Sequence, residues 1–524
     1  MFSFLGSTLG IAHADDSVAP YAERYRPQFH YSPPRQWMND PNGMVYLDGE
    51  YHLFYQYNPD DIVWGPMHWG HAISKDLVHW ESLAVALHPD ANGTIFSGSA
   101  VDDRTNTSGL GVRGRAPLVA IFTSHDHALE LAGRNDFQNQ SLAYSLDKGR
   151  TWIKYAGNPV LRNPGRHDFR DPKVSWFEPQ KKWVMTLAVG DHVGFYSSKD
   201  LKVWNYESEF GRGWGAHGGV WECPDLIAMM VDGETAPKYV LLVSVNPGGP
   251  NGGSATQYFI GDFDGHRFTL DAAFEGRLQG NPAAGVRSSA AWVDYGTDDY
   301  AGVTWSGLPA SDGRHVFQGW MSNWSYAQRV PTERWRGAMT LPRELKLIRT
   351  PRGAELHSRP IAELASLRSS SVRFGRSRVR SERHLTEGVH GRSGLLELEL
   401  RLDTATADLT TLEFANSEGQ KVAFRINGRL RRYELDRSKS GAVDFHDRFA
   451  DEQFAPMAST GTGVSLRVFS DRSSIEIFIN EGETVMTAID FPSSPYTRVT
   501  LKADRPFDLY SGAVYELRSI WNDK

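Results

Sequence analysis

The sequence predicts an all-β protein in two parts, a five-bladed β-propeller followed by a β-sandwich. Three observations carry this. Helical periodicity is scarce, and short alternating runs with turn pairs dominate from about Tyr25 to Leu345. A strand, a turn holding Asp and a basic residue, then an aromatic recur in "SKDLVHW" ending at Trp80, "SLDKGRTW" at Trp152 and "SSKDLKVW" at Trp204, with a degenerate copy, "GDFDGHRF", ending at Phe268. Their spacing of roughly 50 to 70 residues suits one four-stranded sheet each, and about 320 residues at that period make five blades. Beyond them strict period-two alternation returns, as in "LLELELRL", with Leu396, Leu398, Leu400 and Leu402 on one face and Glu397, Glu399 and Arg401 on the other.

Taken in order, the elements read as follows. In "QWMNDPNGMVYLDG", Met44 to Leu47 is a strand, Asp48-Gly49 a tight turn and Tyr51 to Tyr57 the return strand. The Asn-Asp-Pro before it reads by itself as a turn, or as a carboxylate held at one angle, because Asp40 before Pro41 is pushed to extended backbone. "KWVMTLAVGDHVGFYSS" is strand, Gly-Asp turn, strand; "YVLLVSVNPGGPNGGSATQYFIGDFDG" is two strands around a glycine-rich loop. "SRPIAELASLR" reads as a short helix in a linker. Asn427-Gly428 turns between "KVAFRI" and "RLRRYEL", and "SIEIFIN" alternates Ile475, Ile477 and Ile479 against Glu476, Phe478 and Asn480, so each sandwich sheet is expected to bury one face. The expected division is a tail over 1–24, the propeller over 25–347, a linker with a short helix over 348–368 and the sandwich over 369–524.

Composition bounds the function. The 524 residues carry a net charge of -7 with a pI near 6.2 and a mean hydropathy of -0.45, which calls for no nucleic-acid or anionic-membrane partner. The basic run from Arg368 to Arg383 is expected to be a solvated linker edge. The single cysteine, Cys223, excludes an intrachain disulfide. "FSFLGSTLGIAHA", from Phe2 to Ala14, looks like a shortened export signal with an Ala-His-Ala cleavage pattern and no basic start, which suits a secreted or periplasmic protein. No later apolar run approaches a membrane span. The sixteen tryptophans suit both core and sugar stacking. Oligomeric state is left open.

Three acids share an unusual context. Asp40 precedes Pro41, Asp171 in "FRDPKV" precedes Pro172, and Glu222 in "VWECPDL" lies two residues before Pro224. Each sits in a strand-like segment beside rigid backbone, flanked by aromatics and in a different blade, so the three can converge on a central channel. Singly, each has an ordinary reading as an Asp-Pro turn or an ion pair with Arg170.

"WMNDPNG", "FSGS" (Phe96 to Ser99), "FRDP" and "WECPDL", in that order, resemble the signature motifs of glycoside hydrolase family 32, the fructan hydrolases and invertases. The similarity runs from about Tyr25 through "GWMSNWSYAQRVPTERWRGAMTLPREL" to a C-terminal "DRSSIEIFINEGE" similar to the family's appended sandwich. The resemblance implies a funnel-shaped pocket, no metal, no cofactor and a retaining mechanism. Asp40 would be the nucleophile, Glu222 the general acid/base and Asp171 the stabiliser of the transition state, with Arg170 keeping Asp171 ionised. Asn39 and Gln56 would bond sugar hydroxyls or the nucleophile; Trp64, Phe96 and Trp324 would wall the subsite for the terminal fructose; Ser97 would add a hydroxyl. Retention requires an ionised carboxylate on one face of the sugar and a protonated carboxyl beside the leaving oxygen, about 5–5.5 Å apart. "QNQSLAYS" and "GGVWECPDL" look closer to exo-acting bacterial fructosidases than to endo-acting members. A dedicated invertase, a fructosyltransferase and an endo-acting levanase with the same acids are the alternatives, and a catalytically dead carbohydrate-binding protein is a further one. The sandwich is expected to brace the propeller rather than bind glycan.

His68 and His71, and His125 and His127, lack zincin spacing on a helix and bring no acidic cluster in sequence, so they are read as core or pocket histidines. "NPGGPNGG" lacks a phosphate-loop ending and reads as a hairpin loop at the pocket rim or a tight channel turn. Cys223 is expected to be a small buried side chain or a neighbour of Glu222, and is rejected as a nucleophile for want of a histidine partner.

Overall fold

A computed structural model describes residues 19–112, 114–279, 290–389, 393–458 and 461–521. The export-like run at Phe2 to Ala14 lies outside them. Among the described residues no helix is long and apolar enough to cross a membrane.

Five sheets of four principal strands follow one another along the chain, each beginning with its innermost strand: Gln36–Leu47, Thr94–Asp102, Arg170–Phe177, Val220–Met229 and Tyr300–Thr304. These five pack neighbour to neighbour in a closed ring around the axis. The ring is fastened where Gln36 and Trp37 pair in parallel with Trp335 and Arg336, late in the fifth sheet's segment. Trp37, Trp69, Trp221 and Trp320 are fully buried in and between the sheets. Each contributes roughly 4–6 kcal/mol of gross apolar transfer, before ordering entropy.

The sequence repeat marks the same corner of the first four blades, the turn from third to fourth strand. Asp76, Asp147, Asp200 and Asp264 each accept backbone N–H bonds from residues two to four positions later: Val78 and His79, Thr151, Lys202 and Val203, His266 and Arg267. Leu77, Lys148, Leu201 and Gly265 take the left-handed backbone this turn requires. The aromatic that follows, Trp80, Trp152, Trp204 or Phe268, adjoins or begins the outer strand.

The fifth blade runs further than expected. Residues 348–360 are not linker, because Arg343–Thr350 and Gly353–Pro360 form a hairpin that completes the sheet. The short helix of "SRPIAELASLR" is a 3₁₀ turn, Ala362–Leu367. The basic run is likewise no linker edge. Arg368–Phe374 and Ser377–Val379 pair with Phe507–Leu517, and Glu382–His384 pairs with Arg498–Ala503. Within it Arg368 pairs with Glu397 and Glu399, and Arg376 and Arg378 pair with Asp508.

The sandwich comprises a seven-stranded and a six-stranded sheet around a core that includes Leu398, Leu400, Phe414, Phe424, Ile477 and Leu501. One expectation fails here: the seven-stranded sheet is buried on both faces. Its second face carries Phe469, Phe478, Val485 and Tyr515 into a cluster shared with Trp80, Leu341 and Leu364 of the propeller side. Glu397 and Glu476, which alternation places toward solvent, are therefore fully buried. Glu397 is held by Arg368 and Arg467. Glu476 receives Arg343 Nη2 at 2.6 Å, while Nη1 reaches Asp294 and Asp299 at 2.9 Å each. His30 bridges Asp471 at 2.7 Å and Glu476 at 2.9 Å. The two hydrogen-bonded carboxylates outweigh burial, which disfavours the charged ring, and raise the His30 pKa to about 9.

Candidate active site

Each of the five inner strands has a break in register near its N-terminal end, between Met38 and Pro41, Ile95 and Gly98, Arg170 and Lys173, Glu222 and Asp225, and Tyr300 and Val303. Such bulges re-aim side chains. They also explain the prolines: Pro41, Pro172 and Pro224 lie where the ladder is interrupted and no N–H is needed. The "WMNDPNG" stretch is thus a bulged strand and not a turn. Its Gly43 has φ +52°, and a Cβ there would meet Phe54 and Trp69 under 3 Å away. Asp171 precedes a proline yet takes φ +64°. That strained state is held by two bonds: its N–H donates to Thr123 Oγ1 at 3.0 Å, and its Oδ2 accepts from Cys223 N–H at 3.1 Å.

The bulged ends converge on one pocket of about 340 Å³. All ten residues singled out from the sequence line it: Asn39, Asp40, Gln56, Trp64, Phe96, Ser97, Arg170, Asp171, Glu222 and Trp324. Asn39 Nδ2 and Ser97 Oγ donate to the two oxygens of Asp40 at 2.9 and 3.0 Å, and Trp37 Nε1 fixes Asn39 at 2.7 Å. The Ser97 hydroxyl is therefore directed at the carboxylate. Gln56 spends its amide on Asn42 and the Ile95 carbonyl and makes no bond to Asp40. Trp64 stands exposed at the mouth, edge-on to Phe96 at 6.1 Å, and Trp324 packs on Trp320 at 4.9 Å.

Cys223 ties the acids together. Its Sγ lies 3.7 Å from Asp40 Oδ2 and 3.8 Å from Asp171 Oδ2. Burial pushes its thiol well above the usual range, so it serves as a neutral weak donor. Arg170 has closer partners than the expected Asp171. Its Nε and Nη2 donate to Glu222 Oε1 at 3.1 and 3.0 Å and its Nη1 to Asp168 Oδ1 at 2.5 Å, whereas Asp171 lies 4.0 Å away. The guanidinium thus holds Glu222 and Asp168 directly and Asp171 only at range. Tyr300 donates its hydroxyl to Glu222 Oε2. Tyr300 was missed in the sequence, although it occupies, on the fifth inner strand, the position the acids occupy on theirs. His125, Glu130, Phe137, Gln138, His167, Asp168 and Gln328 also line the pocket.

Three carboxylates, Glu222, Asp171 and Asp168, face one guanidinium, and Asp40 lies beside Glu222. Burial, then the charge of Glu222, push the Asp40 carboxyl up to about 6. Burial, opposed by Arg170 and reinforced by Glu222 and Asp40, pushes Asp171 up to about 7. Burial also disfavours ionised Asp168, but Arg170 outweighs it and holds that carboxyl below its ordinary value. Burial thus disfavours ionisation of Asp40 and of Asp171, and each carboxylate's charge opposes the other's. A larger cavity, about 570 Å³, opens at the opposite, C-terminal ends of the inner strands. Its acids are committed, Asp225 to Lys173 at 3.1 Å and Asp102 to Arg104, so it offers no comparable chemistry.

Comparison with known proteins identifies the family. Residues 30–360 match the model of the glycosyl hydrolases family 32 N-terminal domain, and residues 363–515 match that of the family's C-terminal domain. A levanase of Bacillus subtilis is 46% identical over 99% of this chain and 74% of its own length. An extracellular exo-inulinase of Aspergillus ficuum is 40% identical over 98% of this chain and 97% of its own. The crystal structure of exo-inulinase from Aspergillus awamori superposes with a TM-score of 0.85 at 37% identity, covering 96% of this chain and all of that one. The chain belongs to glycoside hydrolase family 32.

Proposed function

We propose that this β-fructan glycosidase releases terminal fructose from levan, inulin and sucrose by double displacement, with Asp40 as nucleophile and Glu222 as general acid/base. The observation that carries the reading is the convergence of Asp40, Asp171 and Glu222, from three blades, on one pocket walled by Trp64, Phe96 and Trp324. A pocket of this size, closed at its base by the ring of inner strands, suits one fructosyl unit entering by its non-reducing end. The likeness to levanase and exo-inulinase supports the same substrate class.

The residues divide the work as follows. Asp40 attacks C2 of the fructosyl unit in its ionised form, aligned by Asn39 and Ser97. Glu222 gives its proton to the leaving oxygen, then takes one from the water that frees the sugar. Positive charge growing at C2 favours ionised Asp40 as the bond breaks. Arg170 and Tyr300, the two donors on Glu222, hold that carboxyl in place and favour its charged form once the proton has left. Asp171, locked by Cys223 and Thr123, accepts from ring hydroxyls, more strongly as the ring becomes cationic. The catalytic unit is assigned to the five blades and the sandwich to a bracing role.

The test is product analysis over time on levan, inulin and sucrose, with the anomeric form of the first product read by NMR. Fructose alone, released with retained configuration, is expected. Oligosaccharides appearing first would overturn exo action, and inverted fructose would overturn the role of Asp40. Products larger than sucrose would show transfer to sugar in place of water. The extracellular relatives support placement of this enzyme outside the cell, and activity in the culture fluid of the source cells checks it.

A further inference from the structure

A cluster at the pocket wall has no part in the chemistry proposed above. His125 ends the strand Leu118–His125, and the short helix His127–Leu131 follows, capped by Asp126 Oδ1, which accepts from Ala128 and Leu129 N–H at 3.0 and 3.1 Å. This capped turn folds Glu130 back over both histidines. Its Oε2 lies 3.0 Å from His125 Nε2 and 3.0 Å from His127 Nδ1. The three ligand atoms all fall within 4.8 Å of one another. In the sequence the His-x-His spacing looks unpromising, because the carboxylate arrives only through the helical turn.

We propose that His125, His127 and Glu130 form a binding site for Zn²⁺ at the pocket wall, and that its occupation slows fructose release. Zinc bound at about 2.0–2.2 Å in tetrahedral geometry needs ligand atoms about 3.4 Å apart. Two of the three edges already stand near that length. The remaining edge, between the histidines, closes by rotation of His127, whose side chain is 66% exposed. His125 by contrast is fixed, stacked on Phe96 at 4.2 Å and met edge-on by Phe137 at 5.3 Å. Coordination through Nε2 moves its ring proton to Nδ1, where it gives up only a weak contact with Gln138 at 3.4 Å. Two imidazoles and one carboxylate are a borderline donor set that suits zinc and is a poor match for magnesium or calcium. The fourth coordination position is left to water.

The effect on catalysis rests on the functional reading above; the binding does not. His125 and Glu130 line the same pocket as the acids. A dication there opposes the positive charge that builds on the sugar.

The experiment is calorimetric titration of tag-free, EDTA-treated protein with zinc chloride, comparing wild type, His127→Ala and Glu130→Ala. One equivalent is expected to bind wild type in the micromolar range, at least about tenfold more weakly in either variant, with no heat from magnesium. Zinc is expected to lower fructose release by wild type but not by His127→Ala, whose activity without zinc stays normal. Absence of saturable binding at millimolar zinc, or binding unchanged in both variants, overturns the site. Binding without inhibition overturns the regulatory half alone and leaves the hydrolase reading intact.

Discussion

Asp40→Asn separates what the proposed nucleophile contributes to chemistry from what it does to the fold. The Asp40 carboxyl titrates near 6 in the folded chain against an ordinary 3.8, chiefly because it is buried. The shift of about two units corresponds to about 3 kcal/mol. Asp40 is partly buried and its pocket admits water, so solvent screening reduces this to roughly 2 kcal/mol. The sign follows from proton binding. The folded state holds the proton more tightly than the unfolded chain, so below pH 3.8 both forms are protonated and the penalty is absent. Between 3.8 and about 6 the penalty grows, and above that it is fully present. Asn is isosteric, and its amide satisfies the neighbours: its oxygen accepts from Asn39 and its nitrogen donates to Ser97. The variant should therefore be inactive, down by at least about four orders of magnitude, yet more stable near neutral pH. With about 2.1 cal/mol/K of unfolding entropy per residue the whole chain has about 1.1 kcal/mol/K, so the melting point should rise by about 2 °C. Scanning calorimetry at about pH 7.5 and about pH 4 reads this, and the gain should vanish at the acidic pH. A variant less stable than wild type at neutral pH, or one shifted equally at both, would refute the assignment of strain to ionised Asp40.

Three further expectations follow from individual contacts. Ser97→Ala removes one charge-assisted bond to Asp40, worth about 1.5–3 kcal/mol, so the acid limb of the kcat/KM profile, set by Asp40 near 6, should move up by about one to two units; an unmoved limb would show the bond to be idle. Arg343→Ala leaves Asp294, Asp299 and Glu476 buried without their cation and should destabilise by about 3–5 kcal/mol, seen as lost soluble yield or a melting point several degrees lower, while a melting point within a degree of wild type would contradict it. His30 is raised from 6.5 to about 9 by Asp471 and Glu476 against the pull of burial, so its contribution is complete below pH 6.5 and is lost as pH rises through about 9; it amounts to roughly 3 kcal/mol, and denaturant titrations across that window should show the loss in wild type and not in His30→Asn.

Local rules read much of this molecule, because the signals they use are local. The turn aspartates at 76, 147, 200 and 264 could be recognised since each closes its turn with its own neighbours. The acids could be found because Pro41, Pro172 and Pro224 mark where a ladder must break. What was missed depends on partners distant in sequence. Alternation assigns Glu397 and Glu476 to the face opposite the leucines and isoleucines, but it cannot say that a second domain covers that face. The arginine run is solvated as its composition suggests, but composition cannot say that it pairs as strands of the sandwich and not as a linker. Arg170 is adjacent to Asp171 in sequence and does favour its charged form, but adjacency could not show that the guanidinium also bonds Glu222 on the next blade.

The same geometry explains why function and fold are hard to separate at this pocket. The inner strands could run as regular ladders only by turning Asp40, Asp171, Glu222 and Tyr300 away from the axis. The five bulges avoid this, at the expense of left-handed backbone at Asp171, Cys223 and Ala301 and of carboxyls held where ionisation is disfavoured. Such a site persists only if the blades behind it do not yield. That stiffness comes from the closed ring and from a sandwich sheet that shares its apolar second face and its Arg343–Glu476 contact with the propeller. Truncation after about Ser369 removes both the apolar cover and Glu476, one of the three anions facing Arg343, so the isolated propeller should aggregate. A soluble, fully active propeller would mean that the ring alone bears the strain of its own active site.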